Sequence, residues 1–194
     1  MKHPALFCLL ALALPLSFSQ AGTTTHWKGA SEIVFSGTST LHSWSGKVKA
    51  EPFIAAVVMT PDGQPEHLEA KVQVKVPGMD TAEPERDVNM RKAMNAEGFP
   101  LITATMNGPF THILDPGTSL PRTLPFDLEL LGKKHHVAGL VSNWQAAGKE
   151  ASFDLDFDLS LKECGITVPS KLLVIRVGDT IKLHSTVKLV RAND

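Results

Sequence analysis

Ala151-Ser152-Phe153-Asp154-Leu155-Asp156-Phe157-Asp158-Leu159-Ser160-Leu161 alternates between apolar residues and Asp or Ser along its whole length. Successive side chains of a β-strand point to opposite faces, so the stretch predicts a strand with one face of Ala, Phe and Leu alone and the other wet. A strand so divided needs a large apolar space on one side. The same two-residue period recurs on both sides of it. Residues 31–38 place Ile33 and Phe35 on one face. Residues 42–50 place His42, Trp44, Gly46, Val48 and Ala50 opposite Ser45, Lys47 and Lys49. Residues 53–59 are apolar and β-branched, and Pro61-Asp62-Gly63 follows with turn chemistry. Residues 69–76 set Val72, Val74 and Val76 against Lys71, Gln73 and Lys75, and residues 101–107 predict a further strand. Residues 179–190 set Ile181, Leu183, Val187 and Leu189 against Lys182, His184, Thr186 and Lys188.

The period changes once. Across residues 84–97, Met90, Ala93, Met94 and Glu97 follow helical spacing, Pro84 suits a first turn and Gly98 suits a stop. Arg86 precedes Met90 by four residues and shares its side of that helix. Residues 124–131 and 134–144 read as a hairpin around Gly132-Lys133. With that loop, Leu130 faces His135, so His135 points inward with Leu124, Phe126 and Leu128 while His136 points out. About eight strands in hairpin order with one inserted helix predict an all-β antiparallel barrel or sandwich in a single domain.

The first residues are expected to lie outside the fold. Lys2 and His3 form a basic start, residues 5–14 are an almost unbroken apolar run, and Ser19-Gln20-Ala21 offers small residues to a signal peptidase. The run is shorter than the roughly 20 residues that span a bilayer. Residues 1–21 are therefore read as a signal peptide, residues 22–194 as the mature domain, and its location as periplasmic or secreted. The chain carries a formal net charge of −1, and loss of Lys2 makes it −2. That balance points to no nucleic-acid partner. Of two cysteines, Cys8 falls in the signal peptide, so Cys164 has no internal disulfide partner.

Four stretches in order resemble the YceI-like family of extracytoplasmic lipid-binding proteins. They are Ser31-Glu32-Ile33-Val34-Phe35 with His42-Ser43-Trp44-Ser45-Gly46; Arg86-Asp87-Val88-Asn89-Met90 with Phe99-Pro100-Leu101-Ile102; Leu128-Glu129-Leu130-Leu131-Gly132-Lys133; and Phe157-Asp158-Leu159 with Cys164-Gly165-Ile166. Cys164 stands where an aromatic residue is usual, and Lys133-Lys134-His135-His136 is more basic than the commoner pattern. The resemblance implies an eight-stranded antiparallel lipocalin-like barrel whose interior holds a polyisoprenoid or an isoprenoid quinone as ligand, with no other cofactor. Exchange of such a lipid implies transient membrane contact. A homodimer is compatible with the sequence.

The expected apolar lining is Ile33, Phe35, Trp44, Val48, Val72, Val74, Val76, Leu128, Leu130, Phe153, Leu155, Phe157, Leu159, Leu183 and Val187, with Met90 and Met94 capping one end. Arg86 is the head-group candidate, because a guanidinium fork suits a phosphate or a carbonyl oxygen. His42 and His135 are further candidates. The competing reading is that these residues fill the barrel themselves, since eight-stranded barrels are either packed solid or hold one ligand.

Other classes find less in the sequence. The histidines after residue 21 are His26, His42, His67, His112, His135, His136 and His184, and they show neither His-x-x-x-His spacing nor a Cys-x-x-Cys partner for a metal or haem. No Gly-x-Ser-x-Gly elbow or phosphate loop suggests an enzyme, and Asp154, Asp156 and Asp158 read as a solvated strand face. The reading is thus of a non-catalytic binding protein with no metal site.

Overall fold

A computed structural model describes residues 22–109, 122–168 and 176–193. The expected signal peptide and His112 lie outside the described residues. Nine strands follow in chain order: β1 (Thr24–Thr38), β2 (Ser43–Lys49), β3 (Phe53–Met59), β4 (Pro65–Lys75), β5 (Leu101–Pro109), β6 (Arg122–Leu130), β7 (Lys133–Ala147), β8 (Glu150–Ser160) and β9 (Thr180–Arg191). All pair antiparallel with sequence neighbours, and β9 returns to β1 from Trp27 to Ser36. The other edge of β1 is shared. Its first half pairs with β3 and its second half with β2. Thus β2 and β3 fill one strand position end to end, broken at Ala50-Glu51-Pro52, and nine strands close an eight-position lipocalin-like barrel.

Helix α1 (Pro84–Ala93) sits in the β4–β5 connection. It is shorter than the 84–97 that helical spacing predicts. Asn95 takes a left-handed backbone (φ 43°), and its N–H bonds to the Lys92 carbonyl, so the stop expected at Gly98 comes three residues sooner. The helix is tied down at its start. The buried Asp87 carboxylate accepts from the Thr81 N–H at 2.9 Å and the Thr81 hydroxyl at 2.7 Å.

Local chemistry adjusted other boundaries. β1 begins at Thr24, seven residues before the expected 31, which brings Thr25 and Trp27 onto the inner face. The β6–β7 loop is Leu131-Gly132, with φ 52° and 70°, as a two-residue primed turn requires. The register therefore sets Leu128 against His135 and Asp127 against His136. That differs by two residues from the expected pairing, and a shift of two preserves the faces. His135 points inward and His136 outward.

Why the centre is open follows from β1 and its partners. Gly29 lies opposite Phe53, Phe35 opposite Gly46, and Gly37 opposite Trp44. In each pair the aromatic ring covers the space that a Cβ on the glycine would need. The rings lie across the wall instead of meeting at the axis. Apolar packing is accordingly split into two clusters. One gathers around Phe126, Phe153 and Leu155; the other, at the helix end, gathers around Phe35, Val76, Met94 and Cys164. Several inward apolar residues, among them Ile33, Phe157, Leu159 and Leu183, keep part of their surface uncovered. In a filled core they would not.

Candidate functional site

The inner faces of the strands surround a cavity of about 740 Å³. That falls within the roughly 300–1,000 Å³ of small-molecule sites. Of the expected residues, Ile33, Phe35, Trp44, Val48, Val72, Val74, Met90, Met94, Leu128, Leu130, Phe153, Leu155, Phe157, Leu159, Leu183 and Val187 line it. So do Arg86 and His42. Val76 and His135 do not. Val76 begins a 3₁₀ turn (Val76–Gly78) after β4 and is packed under it, 1% exposed. His135 faces inward, but its Nε2 is enclosed with no hydrogen-bond partner among the described residues.

The strand at residues 151–161 delivers what its alternation promised. Ala151, Phe153, Leu155, Phe157 and Leu159 line the cavity. The Phe157 ring meets Phe126 edge-on, with centroids 5.2 Å apart. On the outer face, Asp154 accepts from Asn143 Nδ2 at 2.7 Å and the Thr186 hydroxyl at 2.9 Å, and Asp156 lies 2.7 Å from His184 Nδ1. The Asn143 hydrogen bond is the main cause that holds the Asp154 carboxyl below the usual range. These aspartates are cross-strand surface partners, as the wet face predicts.

Helix α1 closes over one end. Glu83, Glu85, Arg86 and Asn89 line the cavity there, along with Ser39 and His42 from the β1–β2 turn. The Arg86 guanidinium carbon lies 5.9 Å from the centroid of the Trp44 ring, a cation–π arrangement that holds the side chain against another residue of the cavity wall. Its neighbour Asp87 does not line the cavity and is engaged with Thr81. Thr81's hydroxyl, foremost, holds the Asp87 carboxyl below the usual carboxylate range, against the opposing effect of burial.

Several lining residues were not anticipated. Trp27 and Thr25 extend the alternation of β1 backwards and were within reach of the sequence. Trp144 was not. Strict alternation from His136 and Leu140 puts it outside, but the β7–β8 register shifts between Ser142 and Gln145, with Asn143 at φ 51°. This bulge turns Trp144 inward, where it stacks on Phe153 with centroids 5.7 Å apart. Cys164 also lines the cavity and is 2% exposed; burial, first, pushes its thiol up, so the unreactive protonated form is favoured. Among the described residues, no three His, Cys, Asp or Glu side chains are grouped to hold a metal.

An eight-position antiparallel barrel, hollow along an apolar centre and capped by one helix, defines the class of lipocalin-like barrels. A family model, the YceI-like domain, matches residues 24–189, and the chain belongs to that family. Solved structures share the fold at low identity. BcnA of Burkholderia cenocepacia is 14% identical with a TM-score of 0.64, the match covering 81% of this chain and 95% of that one. A polyisoprenoid binding domain from Saccharophagus degradans implicated in plant cell wall breakdown is 10% identical with a TM-score of 0.56, covering 88% and 100%. The Campylobacter jejuni YceI protein is 16% identical with a TM-score of 0.51, covering all of both chains. A search of curated proteins found no significant match.

Proposed function

We propose that this protein is a non-catalytic, extracytoplasmic lipid carrier or buffer that holds one long apolar lipid, a polyisoprenoid or an isoprenoid quinone, along the barrel axis. The observation that carries the reading is the cavity itself: about 740 Å³, walled by Phe, Trp, Leu, Ile, Val and Met. At about 30 Å³ per water-sized group, it accommodates roughly 25 such groups. A tail burying on the order of 500 Å² gains about 12 kcal/mol on leaving water. A tail arriving from a bilayer is already dry, so transfer is nearly neutral and exchange is reversible. Selectivity then falls to shape and to the few polar groups. At the mouth, Arg86 and His42 are the groups suited to a polar head. Glu83 and Glu85 stand beside them, and a mouth of mixed charge favours a neutral oxygen-bearing head over a diphosphate.

The test is mass spectrometry of an organic extract of the purified protein, alongside its Arg86→Gln variant. The expected result is a long-chain isoprenoid lipid near one per chain in the wild type, with less retained by the variant. Repeated absence of any stoichiometric lipid from isoprenoid-making hosts would overturn the proposal.

A further inference from the structure

Two hydroxyls interrupt the apolar wall at mid-depth. Ser31 on β1 and Ser185 on β9 both line the cavity and are 8% and 6% exposed. Their Oγ atoms are 2.7 Å apart, and among the described residues each is the other's side-chain partner. The inventory is uneven. Each hydroxyl has one proton to donate, and only one of the two protons is used between them. The Ser31 carbonyl accepts from the Ala50 N–H, and among the described residues neither serine hydroxyl donates to a backbone carbonyl. Thr25, the other buried hydroxyl on the inner face of β1, is different: it donates to the Val57 carbonyl and accepts from the Trp27 indole N–H.

Ser31 is the middle residue of the 15-residue β1, seven residues from the end that faces helix α1. Seven residues at about 3.3 Å each, on strands tilted roughly 40° to the barrel axis, place the pair roughly 18 Å below that rim. A plain hydrocarbon lying over the pair leaves an O–H without a partner in a dry place. An oxygen at that depth satisfies it, in a medium where hydrogen bonds are stronger than in water.

We infer that Ser31 and Ser185 form an oxygen-recognising subsite inside the barrel, selecting a lipid that carries a carbonyl, ester or hydroxyl group part-way along its body in addition to any head at the mouth. The inference rests on the proposed lipid-holding function and specifies its ligand further. It can be read out directly, because all three tryptophans, Trp27, Trp44 and Trp144, line the cavity and the chain has no tyrosine.

Lipid-stripped protein is titrated, with tryptophan fluorescence as the signal, with two long-chain alkanols of equal length, one bearing a mid-chain carbonyl. The wild type should favour the keto alkanol by about five- to tenfold, the worth of one buried hydrogen bond. The Ser31→Ala/Ser185→Ala double variant should lose that preference and bind the plain alkanol at least as well. A preference that survives in the double variant overturns the subsite. A second measurement needs no variant: the infrared carbonyl stretch of the bound keto alkanol should fall below its value in hydrocarbon solvent, and an unshifted stretch overturns the subsite too. If neither alkanol binds the wild type, the lipid-holding function itself fails and the subsite with it.

Discussion

Phe157 concentrates the difference between a packed and an open barrel. Its neighbour along the strand, Leu155, is 4% exposed, whereas Phe157 is only partly covered although it points the same way and touches Phe126. The uncovered part of the ring faces the lumen. Phe157→Arg would place a guanidinium among apolar walls, where an unpaired charge is costly. The expected variant folds, as circular dichroism would report, and retains at least about tenfold less co-purifying lipid. A folded variant that keeps its lipid would show that the guest does not run past this position. At this scale the alternation of residues 151–161 was fully legible, because period two leaves each side chain only one of two faces. Ser185 was equally legible as an inward residue of β9, but its pairing with Ser31 was not. That contact joins residues 154 positions apart.

Helix α1 depends on a buried polar clasp more than on its own propensity. Ten residues form a marginal helix in isolation. Asp87 and Thr81 fix its start, and Arg91 Nη2 donates to the Met79 carbonyl at 3.3 Å. Because Asp87 is held below the carboxylate range when folded, its contribution is present above the unfolded value of about 3.9 and is lost as pH falls through the folded value. Asp87→Ala should cost about 1–3 kcal/mol near neutral pH, since it leaves the buried Thr81 donors unpaired. The gap between variant and wild type, measured by urea unfolding, should narrow below about pH 4. A gap independent of pH would mean that Asp87 does not carry the clasp as an anion. Among the elements, the helix start was readable from Pro84. Its early stop and the bulge in β7 were not, because a left-handed Asn95 or Asn143 leaves no periodic mark.

For the whole molecule, an occupied lumen should be more stable than an empty one. A guest at about 100 times its dissociation constant adds about 2.7 kcal/mol, worth about 5–10 °C in the melting midpoint of a domain this size. Calorimetry of the protein before and after lipid extraction checks this. Identical midpoints would argue that nothing resides in the barrel. Closure of the sheet pairs both edges along most of its length; among the described residues the exceptions include β2, which pairs as a strand with β1 alone, and the β5–β6 seam, which is joined only from Thr103 to Thr105. Hairpin order along the chain made an antiparallel architecture readable. The strand pattern by itself left barrel and sandwich open, because the choice depends on β9 meeting β1 from opposite ends of the sequence; the family resemblance implied the barrel, and the β1–β9 pairing bears it out.

The alternating pattern alone determined that this chain forms half-apolar antiparallel strands and which residues face inward along most of them, since that follows from backbone geometry one strand at a time. Whether the inward residues would meet and fill the centre was decided only in three dimensions. It turned on Gly29, Gly37 and Gly46 lying opposite aromatic rings that cover them, while the bulge that swings Trp144 inside added a wall residue that no alternation announces. Volume is a property of all the walls together, and no single strand carries it.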